Sequence, residues 1–221
     1  MKRVGLLGGT FDPIHFGHLR PAEEVYEKLK LDKIIFIPAG TPPHKKSRTS
    51  PFALRFEMAR LAIEGVPHFE VSDLEGKRKG PSYSVITLKE LLAASQEDYF
   101  FILGLDAFLE FDTWFSFREI PRLVHLVVIN RGEGGEKEFR KKVKEIFPEA
   151  QEKEKVFALP NGKTIRYVPV TRLDISSTMI REAVSKGKSI RFLLPEAVRR
   201  FILAHGLYDA GAREDFCKNP E

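Results

Sequence analysis

The chain has one cysteine, one tryptophan and three methionines in 221 residues. With Cys217 alone no intramolecular disulfide can form, which suits a reducing cytoplasm. No apolar run approaches the roughly 18 residues a membrane span needs. Only a few apolar residues precede Gly8 and Gly9, too few for a secretory signal. Charge of one sign is also scarce in excess: 36 basic against 31 acidic residues leave +5. Small anionic substrates explain this balance as well as nucleic acid would, and a solvated mixed-charge surface explains it best; basic residues are spread out and no nucleic-acid recognition motif is present. Two common phosphate and metal motifs are missing. Gly162-Lys163-Thr164 imitates the end of a P-loop, but that motif needs glycine at 157, where Phe157 stands. No His-Glu-x-x-His occurs, and the His15/His18 pair has no evident third zinc ligand.

What is present is an alternation. Short apolar, β-branched runs at 4–7, 33–37, 69–72, 99–103 and 124–130 are separated by helical patterns near 16–29, 51–65 and 83–94. Strands alternating with crossover helices predict a parallel, Rossmann-like α/β sheet with helices on both faces. Ser50-Pro51 reads as a helix start, with serine as N-cap and proline first in the helix. Residues 132–155 are charge-dense and read as a surface helix at about 137–147 with loose flanks. Asn161-Gly162 between 156–159 and 164–168 is a hairpin signal. Helices near 176–186 and 195–205 follow. One domain over 1–208 is expected, with 209–221 as a flexible tail.

The most informative stretch runs from Gly5 to Leu19. An apolar strand enters Gly8-Gly9, then Thr10-Phe11-Asp12-Pro13, then His15 and His18 three residues apart at a helix start. Glycines directly after a strand let backbone N–H groups approach a phosphate, and a helix N-terminus favours an anion there. A plain βα turn with two surface histidines is the alternative. Asp174-Ile175-Ser176-Ser177-Thr178-Met179-Ile180-Arg181 is a second candidate. Ser177 and Thr178 lie one turn before Arg181, so hydroxyls and guanidinium can converge on a phosphate. A serine N-cap followed by a solvated arginine remains the other reading.

Taken together, Gly8 to His18 and Ile175 to Arg181 resemble the two signature motifs of the nucleotidyltransferase superfamily. Pro42-Pro43-His44-Lys45, Gly80-Pro81-Ser82-Tyr83-Ser84, Leu103-Gly104-Leu105-Asp106 and Thr113-Trp114-Phe115 resemble further motifs of the bacterial nicotinate-nucleotide adenylyltransferases, in that family's order. The resemblance runs from Lys2 to about Tyr208. It implies transfer of AMP from ATP to nicotinate mononucleotide, giving deamido-NAD and pyrophosphate, with Mg²⁺ held mainly by the ATP phosphates. His15, His18 and Arg181 are then the expected catalytic residues. Gly8, Gly9, Thr10, Phe11, Asp106, Ile175, Ser176 and Thr178 join them around ATP, with Asp106 on a ribose. Lys45, Tyr83, Ser84, Thr87 and Trp114 are expected around the mononucleotide, with Trp114 stacked on the pyridine ring. Asp106 also reads as a helix N-cap, Lys45 as part of a solvated basic run and Trp114 as core.

Ser84 stands where the family most often has threonine, and Ile86 where relatives often have a polar residue. A nicotinamide-specific or dual-specificity enzyme is the alternative within the family. A nucleotide-sensing binding protein without turnover is the alternative outside it, and intact His15, His18 and Arg181 favour catalysis. The expected partners are small molecules, with no nucleic acid or membrane, and a homo-oligomer is compatible with the sequence.

Overall fold

A computed structural model describes residues 1–42, 49–131, 135–154 and 156–209. Its centre is one eight-stranded sheet of order β3-β2-β1-β4-β5-β8-β7-β6. The strands are β1 (Arg3–Gly9), β2 (Lys33–Pro38), β3 (Phe69–Val71), β4 (Asp98–Gly104), β5 (His125–Arg131), β6 (Gln151–Lys153), β7 (Val156–Ala158) and β8 (Thr164–Val170). β1 to β5 and β8 pair in parallel, and β7 pairs antiparallel with both β8 and β6. The expected Rossmann-like sheet is present.

Its parallel strands are apolar on both sides, and alternate residues divide between two cores. Leu7, Phe100, Ile102, Val127 and Ile129 face one cluster, and Leu6, Phe101, Leu103, Leu126 and Val128 face the other. The first core is covered by α1 (Phe16–Leu29), α2 (Phe52–Ala62), α7 (Ser177–Ser185) and α8 (Glu196–Ala204). The second is covered by α3 (Ser84–Ala94), the short α4 (Leu105–Leu109) and α5 (Ile120–Leu123), and α6 (Glu136–Ile146). No helix among the described residues is long and apolar enough to cross a membrane.

Three local expectations need correction. Pro51, not Ser50, occupies the N-cap of α2. Ser50 is tied elsewhere, its N–H donating to Asp12 Oδ2 at 3.1 Å and its carbonyl accepting from Arg55 Nε at 2.8 Å. Second, one flank of the charged 132–155 segment is a strand. Gln151–Lys153 extends the sheet as β6, because the β7–β8 hairpin leaves an edge for it to pair with. All three β6 residues are exposed, so no apolar alternation announced it. Third, α2 ends at Ala62 rather than near 65. The Asn161-Gly162 hairpin is as expected: Gly162 has φ +82°, and Asn161 Oδ1 accepts from the Lys163 N–H at 3.1 Å.

His125, at the start of β5, is mostly buried at the end of the sheet opposite the strand carboxyl termini. Its ring stacks on Phe100 at 4.7 Å, with Nε2 3.1 Å from Asp98 Oδ1. Burial pushes the imidazole below its ordinary value of 6.5, against the opposing pull of Asp98. Below pH 6.5 the unfolded chain therefore binds a proton that the folded chain resists, so stability falls with pH through this window. We expect the wild type to lose more unfolding free energy between pH 7.5 and 5.5 than His125→Asn. Equal slopes in denaturant titrations at the two pH values would remove His125 as the source.

Candidate active site

The carboxyl ends of β1 and β4 form the rim where ligands of open parallel sheets bind. β1 delivers Gly8, which is exposed, and Gly9, against which the Phe11 ring lies. A Cβ on Gly9 would stand 2.8 Å from that ring. Phe11 holds φ +51°, a costly conformation for a bulky residue, and is sealed in the core at 2% exposure with its ring against the edge of His18.

His15 is the N-cap of α1, and His18 sits three residues on. The His15 N–H donates to His18 Nδ1 at 3.3 Å, and the two rings lie 3.8 Å apart. A nitrogen accepting that bond carries no proton, so neutral His18 presents Nε2–H as a donor. Gly17 makes this packing possible. A Cβ there would meet the His15 ring at 2.9 Å and the Ile175 carbonyl oxygen at 3.1 Å. The second contact shows how closely α1 approaches the segment that opens α7.

That segment is stitched to the β1–α1 loop. Ser177 Oγ donates to the Pro13 carbonyl at 2.9 Å, and Arg181 Nη1 donates to the Asp12 carbonyl at 2.7 Å. Arg181 Nη2 also donates to Thr178 Oγ1 at 3.1 Å. Ser176 caps α7 by accepting from the Met179 N–H at 3.1 Å. The expected convergence on Arg181 thus holds for Thr178 and fails for Ser177, whose hydroxyl turns to Pro13. Two helix N-termini, two histidines and a guanidinium now surround one loop, a concentration of partial and full positive charge suited to a polyphosphate.

Across the rim, Asp106 lies exposed in the first turn of α4. Gly104 holds the N-cap, which removes the capping role as an explanation for Asp106. Trp114 is half-buried against Phe111 at 5.3 Å and Phe101 at 6.3 Å. Tyr83, the N-cap of α3, packs on the exposed Phe115 at 4.6 Å, with Ser84 next in the helix. Thr87 does not line the cleft. It is 3% exposed, donates to Glu75 Oε1 at 2.6 Å and accepts from Arg78 Nη2 at 3.1 Å, so it braces the loop before α3. Lys45 lies outside the described residues.

Four residues that shape the site escaped the sequence reading of roles. Asp12 is 2% exposed, and its Oδ1 accepts from Tyr208 OH at 2.7 Å across 196 residues of sequence. Burial, aided by the Asp12 charge, pushes the Tyr208 phenol well up, which keeps it a donor. Arg55 and Glu75 are also buried beneath the site. For Arg55 a signal existed: it shares the buried face of α2 with Met58 and Ala59, at i+3 and i+4. Among the described residues no group of three or more His, Cys, Asp or Glu side chains could hold a metal ion.

A polyphosphate cradle at the carboxyl edge of such a sheet suits a nucleotide, and comparisons with known proteins give the class as nucleotidyltransferase. The family model described as cytidylyltransferase-like matches residues 6–183. A protein of Desulfatibacillum aliphaticivorans named as a nicotinate-nucleotide adenylyltransferase is 45% identical over 215 residues, covering 93% of this chain and 99% of its own length. One from Desulfitobacterium hafniense is 46% identical over 210 residues, covering 94% and 96%. The nicotinic acid mononucleotide adenylyltransferase of Plasmodium falciparum, solved with NaAD, shares the fold at a TM-score of 0.71 and 19% identity, covering 94% of this chain and 98% of that one. The chain belongs to the nicotinate-nucleotide adenylyltransferase family.

Gly17→Ala tests the packing of the two helix starts. The added methyl must displace the His15 ring or part α1 from Ile175, a shift of a few tenths of an ångström at the centre of the cradle. We expect a folded variant with kcat down at least about tenfold, since small misplacements near reacting groups cost that much and more. Steady-state rates within about twofold of wild type would show that this approach is not needed.

Proposed function

We propose that this chain transfers the adenylyl group of ATP to nicotinate mononucleotide, releasing pyrophosphate and yielding deamido-NAD. The observation that carries this is the convergence of the α1 and α7 N-termini, with His18, Thr178 and Arg181, on the Gly8–Asp12 loop.

The mononucleotide phosphate is the nucleophile. Its second pKa is near 6, so at pH 7 it is already largely dianionic and needs no general base. One of its oxygens attacks the α-phosphorus of ATP. The bond from that phosphorus to the bridging oxygen breaks, and the electron pair leaves on pyrophosphate. The task left to the protein is to bring two polyanions into line and stabilise charge on the leaving group. His18 offers Nε2–H, and His15 sits beside it at the α1 cap. Arg181, Thr178 and the capping Ser176 face the β- and γ-phosphates that depart. Gly8, Gly9, Thr10 and Phe11 present backbone to the triphosphate, the Ile175 segment borders it, and Asp106 meets a ribose hydroxyl. Mg²⁺ held mainly through the ATP phosphates would neutralise part of their charge. Asp12 Oδ1 accepts from the Tyr208 hydroxyl and Oδ2 from the Ser50 N–H, which fixes the orientation of this carboxylate in the loop.

On the mononucleotide side, the open face of Trp114 takes the pyridine ring. The first turn of α3 offers the Ser84 N–H and hydroxyl to its carboxylate beside the Tyr83 ring, the Tyr83 N–H being donated to the Pro81 carbonyl at 3.1 Å. Lys45 is assigned to the mononucleotide phosphate from the sequence resemblance alone. Residues 1–208 act as one catalytic domain, and the tail expected over 209–221 lies, from 210 on, outside the described residues.

A carboxylate presents two acceptors to these donors, whereas an amide turns an NH₂ group toward them and leaves buried donors unpaired, the costly direction. We expect kcat/KM for nicotinate mononucleotide to exceed that for nicotinamide mononucleotide by at least about tenfold, roughly 1.4 kcal/mol. Comparable values under saturating ATP and Mg²⁺ would overturn the nicotinate assignment and leave adenylyl transfer standing.

A further inference from the structure

Among the described residues Arg55 is the one buried arginine or lysine, at 1% exposure. Its guanidinium forks to three backbone carbonyls on separate segments. Nη1 donates to Thr10 at 2.8 Å, Nη2 to Gly40 at 3.1 Å and Nε to Ser50 at 2.8 Å. Thr10 belongs to the loop assigned to the triphosphate. Gly40 follows β2, and the next residue, Thr41, exchanges two bonds with Ser82. The Thr41 N–H donates to Ser82 Oγ at 3.1 Å, and the Ser82 N–H donates to the Thr41 carbonyl at 2.9 Å. Ser82 leads directly into Tyr83 and Ser84 on the mononucleotide side. A single rigid planar group therefore joins the two substrate loops, alongside the β1–β2 pairing and the Ala39 N–H bond to the Gly9 carbonyl at 2.8 Å.

We propose that Arg55 is a positioning residue that fixes the triphosphate loop and the mononucleotide loop relative to one another, and so sets the in-line alignment of the two substrates. This rests on the reaction proposed above. Arg55 touches neither substrate; it acts through Thr10 and Gly40. Planarity is what the role requires. Lysine preserves the charge facing Asp12 but is a flexible point donor that cannot span the three carbonyls. If Arg55 only neutralised Asp12, lysine would replace it.

The test compares wild type with Arg55→Lys by amide hydrogen exchange, by titration of each substrate alone (a non-hydrolysable ATP analogue, then the mononucleotide) and by steady-state rates. For a variant that still melts cooperatively, exchange should accelerate at least about tenfold in both 8–13 and 38–42 while β4 and β5 stay as in wild type. Each separate Kd should stay within about fivefold, with kcat down about a hundredfold. Unchanged exchange in either loop, kcat within about threefold, or a loss confined to the Kd values would each overturn the proposal. Should Arg55→Lys fail to fold, wild type alone decides: one clamp requires 8–13 and 38–42 to open with the same free energy and denaturant dependence, and two distinct openings overturn it. The exchange readouts need no substrate. A wild type that adenylates neither mononucleotide would thus count against the proposed reaction, while exchange still judges the clamp.

Discussion

The proposed presentation of the β1–α1 loop backbone to a highly charged ligand depends on one anchor, Asp12. Its carboxylate is drawn one way by the Tyr208 hydroxyl and another by the Ser50 N–H, and its carbonyl is gripped by Arg181. Three distant parts of the chain, the C-terminal turn, the start of α2 and the first turn of α7, are thereby anchored on one residue. A buried carboxylate is tolerable only when its charge is answered. Arg55 supplies an opposite charge without an ion-pair contact, and its burial depends in turn on the carbonyls it collects. The pair therefore works as a joint. Removing either side leaves a charge in the interior, a costly outcome.

From this joint the cradle follows. With Asp12 fixed, Ser177 can reach Pro13 and Arg181 can reach over to Thr178, so α7 points its N-terminus at the same space as α1. The histidine pair is ordered in part by its own backbone. The His15 N–H fixes the His18 tautomer, and Gly17 supplies the room. Chemistry that needs no proton abstraction asks for this kind of site, one in which donors and partial charges are already in place when the phosphates arrive.

Much of this was legible in the sequence, and the limits have physical causes. Apolar runs such as Tyr99–Leu103 marked strands buried on both faces, and the Gly8–His18 stretch marked the cradle, because local spacing governs both. Asn161-Gly162 marked its hairpin by turn chemistry. The Ser177 hydroxyl could not be assigned by helical spacing, since its partner Pro13 lies 164 residues away. Thr87 looked available, but nothing in its neighbours announced that Glu75 and Arg78 would claim its hydroxyl. Asp12 was read as part of a motif, and its role emerged only when Tyr208 and Ser50 came within hydrogen-bonding distance. β6 carries three exposed polar residues, and its strand character comes from the hairpin edge alone.

The proposed reaction is a direct transfer between two aligned substrates, with the protein supplying position and charge but no covalent relay. The stereochemistry at the transferred phosphorus tests it most directly. With one diastereomer of adenosine 5′-O-(1-thiotriphosphate) as donor and nicotinate mononucleotide as acceptor, a single in-line displacement predicts inversion in the product. Net retention would require two displacements, with an adenylylated side chain between them, and would contradict the account.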